Sequence, residues 1–286
     1  MTPTPHSAAS FTSEVLRLET EGHVATVWLD RPEKRNALGP PFWADLPRAM
    51  DAIGSDPDVR AVVIAAEGPH FTVGLDLVAM SGLVGGGGAG DGTRVSMAAR
   101  ARSARGAILR MQASVTSVAD CAVPTIAAIQ GYCIGGGVDL AAACDIRLAS
   151  ADALFSVRET KIAIVADLGS LQRLPGIIGR GHVAELAYTG KDIPAARAEA
   201  IGLVNAVSPD ADAVVADARA MAQEIAANSP LAVQGTKSVL AAGEGRSVAE
   251  GLDYVATWNA GALTSDDLAE AMTAFMEKRP AVFTGR

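Results

Sequence analysis

The stretch from Gly131 to Gly169, GYCIGGGVDLAAACDIRLASADALFSVRETKIAIVADLG, constrains the fold more than any other: an apolar run is broken by a triple glycine at 135–137 and carries Asp139, Glu159 and Asp167. Carboxylates are costly in such surroundings unless they are paired or working. Three glycines opening a helix leave backbone N–H groups approachable, and the helix dipole favours negative charge there. The segment therefore offers an anion cradle beside candidate proton carriers, a combination that points to acid/base chemistry on an activated carbonyl.

The flanking sequence predicts alternating strands and helices. Val24 to Leu29 and Val59 to Ala66 read as strands, with a helix at Pro41 to Ile53 between them. Thr125 to Ile129 is a further strand, Gly137 to Ala143 a short helix, and Ile146 to Ala149 and Leu154 to Val157 two more strands. Such alternation predicts an α/β architecture. After Ser170 the pattern turns helical, at Val183 to Tyr188, Ala195 to Ile201, Ala211 to Ala227, Pro230 to Ala242, Ser247 to Ala262 and Ser265 to Lys278. Ser96 to Ala119 reads as a long helix whose Arg100, Arg102, Arg105 and Arg110 belong to a solvated face. Gly85 to Gly90 lacks the Gly-Lys-Ser/Thr ending of a phosphate loop and is expected to be a linker or a mobile flap.

Composition narrows the function classes. Hydrophobic residues make up 49% of the 286, yet no stretch approaches the roughly 18 uncharged apolar residues of a membrane helix, so subunit interfaces are expected to use the surplus. A formal charge of -8 disfavours a nucleic-acid surface. Cys121, Cys133 and Cys144 read as buried free thiols. His6, His23, His70 and His182 show no metal-ligand spacing, and no nucleophile elbow or dinucleotide fingerprint is present. The first dozen residues lack the features of a signal peptide and FTGR is no organelle address, which sets the expectation of a cytoplasmic protein.

Residues 24 to 208, and more weakly the C-terminal helices, resemble the crotonase (enoyl-CoA hydratase/isomerase) superfamily, through RPEKRNAL at 31 to 38, HFTVGLDL at 70 to 77 and IQGYCIGGGVDLAAACDIRLAS at 129 to 150. The resemblance implies a crotonase-type spiral of strand-strand-helix repeats with a helical C-terminal trimerisation region. It also implies an acyl-CoA substrate, no cofactor beyond the coenzyme A of that substrate, and a homotrimer or homohexamer. On this reading residues 1–12 are a flexible tail, 13–208 the crotonase core and 209–286 the helical C-terminal region.

Within that superfamily the Asp139, Glu159, Asp167 spacing resembles the dienoyl-CoA isomerases, which convert 3,5-dienoyl-CoA into 2,4-dienoyl-CoA. A typical hydratase has glutamate where Asp139 stands and a small or apolar residue where Asp167 stands. The resemblance implies Glu159 as base at carbon 2, Asp167 as acid at carbon 6 and Asp139 orienting or tuning the pair. It further implies an oxyanion hole of the Leu75 and Gly136 N–H groups, and coenzyme A contacts from Arg35, Phe275 and Lys278. Plainer readings exist for each acid: Asp139 relieving a helix dipole, Glu159 paired with Arg158 or Lys161, Asp167 capping the helix after Gly169. Asp145 reads as a cap or an ion pair. The rival functions are a hydratase acting on 2-enoyl-CoA and, from another class, a non-catalytic RNA-binding relative, which the acidic balance opposes.

Overall fold

The computed structural model describes residues 11–81 and 96–286. The expected Gly85–Gly90 flap and nearly all of the expected 1–12 tail lie outside the described residues.

The chain opens with β1 (Leu16–Glu21) and β2 (Val24–Leu29), followed by α1 (Pro40–Gly54), β3 (Ala61–Ala66) and α2 (Met97–Ala119). Next come β4 (Thr125–Ile129), β5 (Tyr132–Ile134), α3 (Gly136–Ala143), β6 (Ile146–Ser150) and β7 (Leu154–Ser156). A 3-10 turn at Glu159–Ile162 leads to α4 (Ser170–Ile177), α5 (Arg180–Thr189), β8 (Ile193–Pro194), α6 (Ala195–Ala200) and β9 (Ala206–Ser208). Four helices finish the chain: α7 (Ala211–Ala226), α8 (Pro230–Gly243), α9 (Val248–Ala262) and α10 (Asp266–Glu277).

Six strands form one sheet in the order β1-β2-β3-β4-β6-β9, and β5-β7-β8 form a second. From β2 to β9 the large sheet is parallel, and only β1 joins it antiparallel. Parallel strands buried on both faces read as continuous apolar runs, as AVVIAA of β3 does with all six residues buried. Val62, Ile64 and Ala127 face the main core shared with α1, α2 and α3, whereas Val63, Ala65 and Ile126 face a second layer made by Val214, Ala218 and Ala222 of α7.

The repeat that positions the site is strand, strand, helix. β4 lies in the large sheet, β5 crosses to the small one, and α3 follows after the single residue Gly135; β6, β7 and α4 repeat the scheme. The sequence reading misses β1, β5, β8, β9 and α4. β1 is an edge strand whose LRLETE side chains are mostly outside the core, so it carries no continuous apolar signal.

Candidate active site

Asp139 lies in the first turn of α3 and is 1% exposed. Its Oδ1 accepts a 2.5 Å hydrogen bond from the Ser170 N–H, while Oδ2 is buried with no partner among the described residues. Burial pushes its pKa up to about 6, the Ser170 N–H opposes the rise, and the charge on Asp167 adds to it. The bond ties α3 to the N-terminus of α4. That end has Gly169 as its N-cap and no cap from its own local side chains, so Asp167 is not its cap.

Glu159 begins the 3-10 turn after β7. A Cβ placed on Gly135 would lie 3.1 Å from its Oε1, so the carboxyl sits against the glycine turn at the head of α3. Oε2 is buried with no partner among the described residues. Burial raises the pKa to about 7, and the charges on Asp139 and Asp167 push in the same direction. Arg158 is not its counter-ion, because that guanidinium pairs with Asp192.

Asp167 is half-buried between the 3-10 turn and α4, and burial raises its pKa as well. Its carbonyl accepts a 2.6 Å hydrogen bond from Gln112 Nε2 of α2. Arg173 steadies the same segment, reaching Thr116 Oγ1 at 3.0 Å and the Leu168 carbonyl at 3.4 Å. Three carboxyls thus share one electrostatic neighbourhood with raised affinities for protons. Asp145 stands apart: it accepts from Thr125 and pairs with Lys237 Nζ at 2.8 Å.

Two backbone donors lie near this cluster, at Leu75 and Gly136. The Gly74 carbonyl accepts from the Leu38 N–H at 2.8 Å. In a trans peptide the N–H points opposite to the carbonyl, so the Leu75 N–H is directed away from residues 31–38. Likewise the Gly135 carbonyl accepts from Val138 and Asp139, which turns the Gly136 N–H outward from the head of α3. No backbone acceptor takes either N–H among the described residues. The two segments are neighbours, for a Cβ on Gly74 would lie 2.6 Å from the Ile134 carbonyl oxygen and 3.5 Å from the Gly136 nitrogen. Gly74, at φ +85, is where a side chain is excluded on both counts. At Gly136 the neighbours are apolar: a Cβ would meet Leu38 at 3.2 Å, Leu168 at 3.8 Å and Trp43 at 3.9 Å. Such an arrangement can polarise a carbonyl oxygen and move protons beside it.

The residues expected to hold coenzyme A are dispersed. Arg35 is exposed on the loop before α1, and its charge helps lower the pKa of His70, after burial. Phe275 is 82% exposed on α10 and Lys278 caps that helix at φ +55; within one chain the structure packs neither against the acids. Trp43, Gln112 and Arg173 escape the sequence reading, because they reach the site from α1, α2 and α4 and no local motif marks them. Among the described residues, no group of three metal-binding side chains is assembled and no helix is long and apolar enough to cross a membrane.

Comparison with known proteins places these features in context. Residues 19–286 match the family model described as enoyl-CoA hydratase/isomerase. The chain is 42% identical over 275 residues to the peroxisomal Delta(3,5)-Delta(2,4)-dienoyl-CoA isomerase of Arabidopsis thaliana, covering 95% of this chain and 96% of that protein. It is 45% identical over 270 residues to the mitochondrial Delta(3,5)-Delta(2,4)-dienoyl-CoA isomerase of Dictyostelium discoideum, covering 94% and 90%. A solved structure of a putative enoyl-CoA hydratase from Streptomyces coelicolor A3(2) superimposes with a TM-score of 0.86 at 32% identity, covering 100% of both chains. These names correct the cytoplasmic expectation, since the two relatives are peroxisomal and mitochondrial. Compartment is set by receptor-read addresses, which composition and fold do not encode.

Proposed function

This chain belongs to the enoyl-CoA hydratase/isomerase family, and from that membership we propose that it is a dienoyl-CoA isomerase of fatty-acid β-oxidation, converting 3,5-dienoyl-CoA into 2,4-dienoyl-CoA. The observation that carries the reading is the meeting of three proton-holding carboxyls with two outward backbone N–H groups.

Moving two conjugated double bonds one carbon toward the thioester removes a proton from carbon 2 and adds one to carbon 6. A single carboxyl does not readily serve both ends. Glu159 lies against Gly135, next to the N–H that would hold the thioester oxygen, and carbon 2 is one bond from that carbonyl. This supports Glu159 as the base at carbon 2 and leaves Asp167 as the acid at carbon 6. Near neutral pH the cluster shares its protons as a coupled unit, and the reactive form has Glu159 ionised and Asp167 protonated. Asp139 orients the pair through Ser170 and raises Glu159 through its charge.

The Leu75 and Gly136 N–H groups stabilise the dienolate oxygen, each donor contributing about 3 to 4 kcal/mol by analogy with other oxyanion holes. Trp43, Leu38 and Leu168 close the apolar wall near Gly136. No redox or metal cofactor enters the scheme; coenzyme A arrives with the substrate. Arg35 is suited to a phosphate of that coenzyme. Phe275 and Lys278 serve the same ligand from a neighbouring subunit of a homotrimer or homohexamer. The exposed apolar side chains of Val248, Leu252, Met272, Phe275 and Met276 support that assembly.

The test is to offer purified protein 3,5-dienoyl-CoA and 2-enoyl-CoA in parallel and follow conjugated-thioester absorbance. Isomerisation that Asp167→Asn abolishes is the expected result. Water addition to 2-enoyl-CoA that survives this substitution, with no isomerisation by the parent, would make the protein a hydratase instead.

A further inference from the structure

Among the charged residues of the sequence motifs that have no part in the scheme above are Arg31 in RPEKRNAL and Asp76 in HFTVGLDL. They meet. Arg31 Nη1 lies 3.1 Å from Asp76 Oδ2, and the side chains are 24% and 14% exposed. The other carboxylate oxygen accepts the Ala79 N–H at 3.0 Å. Arg31 also reaches the Ala37 carbonyl at 3.5 Å, and its own backbone N–H is held by Asn36 Oδ1 at 2.8 Å. The pair lies over Gly39, where a Cβ would be 3.6 Å from Nη1 and 3.7 Å from Oδ2.

Its location gives the pair a consequence beyond local packing. Asp76 directly follows Leu75, and its backbone N–H donates to the Leu38 carbonyl at 3.0 Å, while the Leu38 N–H donates to the Gly74 carbonyl at 2.8 Å. Leu75 is therefore clamped on either side by one residue of the 31–38 segment. Before Leu75 the same two segments are also tied by the Val73 N–H donating to the Arg35 carbonyl at 3.2 Å and by Thr72 Oγ1 donating to the Asn36 carbonyl at 2.6 Å. After Leu75 the ion pair adds a side-chain attachment, from Arg31 at the start of the same segment. The rotation it resists is the one that would swing the Leu75 N–H.

We propose that Arg31 and Asp76 are positioning residues that fix the direction of the Leu75 N–H, and so set how strongly the site polarises a bound thioester carbonyl. The inference rests on the Leu75–Gly136 oxyanion hole. The Ala79 N–H, and after it Arg31, hold the Asp76 carboxyl below its ordinary range, which keeps the pair ionised wherever the enzyme works. Arg31 is suited to the task because its guanidinium is a planar fork, which a lysine ammonium cannot imitate.

The test uses a chromophoric thioester, 4-(dimethylamino)cinnamoyl-CoA, whose absorbance moves to longer wavelength when its carbonyl is polarised. The parent protein is expected to shift it on binding. Asp76→Asn and Arg31→Lys should each lose at least about half of that shift and roughly tenfold to a hundredfold in kcat, in line with the cost of a small misplacement of a reacting group. Affinity for the probe and Tm should stay close to the parent's, and Arg31→Lys should fall between parent and Asp76→Asn. A full shift in both variants overturns the proposal, as does a fall in affinity and Tm with the shift retained, which would mark a purely structural pair. If Asp76→Asn does not fold, Arg31→Lys decides alone. No shift in the parent itself sinks the Leu75–Gly136 hole and this pair with it, whereas a parent that shifts the probe but fails to isomerise 3,5-dienoyl-CoA leaves the pair standing and removes only the assigned reaction.

Discussion

Two aspartates of this molecule are almost equally hidden, Asp139 at 1% exposure in the site and Asp267 at 3% in the C-terminal helices, yet they are pushed in opposite directions. Asp139 accepts one backbone hydrogen bond, has an oxygen with no partner among the described residues, and rises to about 6. Asp267 accepts from Ser229 Oγ and from the Thr284 and Gly285 N–H groups, and it is held below the ordinary carboxylate range. Burial raises both, far more at Asp139, which lies deeper in the protein; at Asp267 three donors outweigh it. The C-terminal carboxylate is built to stay charged and pins the chain end, whereas the one in the site is left able to take a proton. Glu159 extends the contrast: it is raised to about 7, whereas Arg279 and the Val282 N–H hold the distant Glu270 at about 2.

The largest way to break this contrast is to remove a proton carrier from the site. Glu159→Gln is expected to lower kcat by about 10³-fold, near the upper range for a single general base. In the parent, kcat/KM should show a limb near 7 where Glu159 titrates; in the variant the residual rate should lose that limb. A steady-state pH profile decides it, and a variant that keeps both rate and limb would move the base to another residue.

A stability measurement probes the other aspartate. Asp267→Asn keeps the shape but surrenders the charge-assisted bonds, with an expected loss of about 2 kcal/mol at neutral pH. Because the folded-state pKa is depressed, the stabilisation is present above the unfolded value near 4 and fades as pH falls through the folded one. Denaturant midpoints at pH 7 and pH 3 should therefore differ from the parent's at the first and converge toward it at the second. A deficit equally large at both would mean that shape, not charge, holds the chain end.

How much of this was open to a reader of the sequence follows from the range of each interaction. β2 and β4 were readable at their observed bounds, since Val24–Leu29 and Thr125–Ile129 are apolar runs whose burial is dictated by a sheet covered on both faces. α3 was readable from its glycines to within one residue. α4 was not: it is eight residues long, contains Pro175, and has its first N–H satisfied by Asp139, 31 residues earlier. β5 and β8 are three and two residues long, too short for any periodicity. Their apolar context and the family resemblance made the three acids candidates, but their protonation depends on which partners they lack, and the grip of Gln112 on the Asp167 carbonyl spans 55 residues. Local patterns give faces and caps; counting unpaired oxygens needs the fold.

The smallest expected effect comes from neutralising the aspartate of the site. Asp139→Asn retains an oxygen for the Ser170 N–H and removes a charge that is costly to bury. Since burial lifts the folded-state pKa to about 6, above the unfolded value near 4, the ionised parent is penalised at high pH and the penalty vanishes in acid. The variant should therefore be more stable than the parent at pH 8, by on the order of 1 kcal/mol after the weaker hydrogen bond is set against the relieved desolvation, and no more stable at pH 4. The same substitution removes a like charge beside Glu159, so the limb of kcat/KM near 7 should move to lower pH. Stabilisation with a displaced limb would show that this carboxylate is retained for its influence on its neighbours at a cost to folding. Destabilisation at pH 8 would instead show that its bond to the head of α4 outweighs its burial, making Asp139 a structural counterpart of Asp267 and erasing the distinction drawn between them.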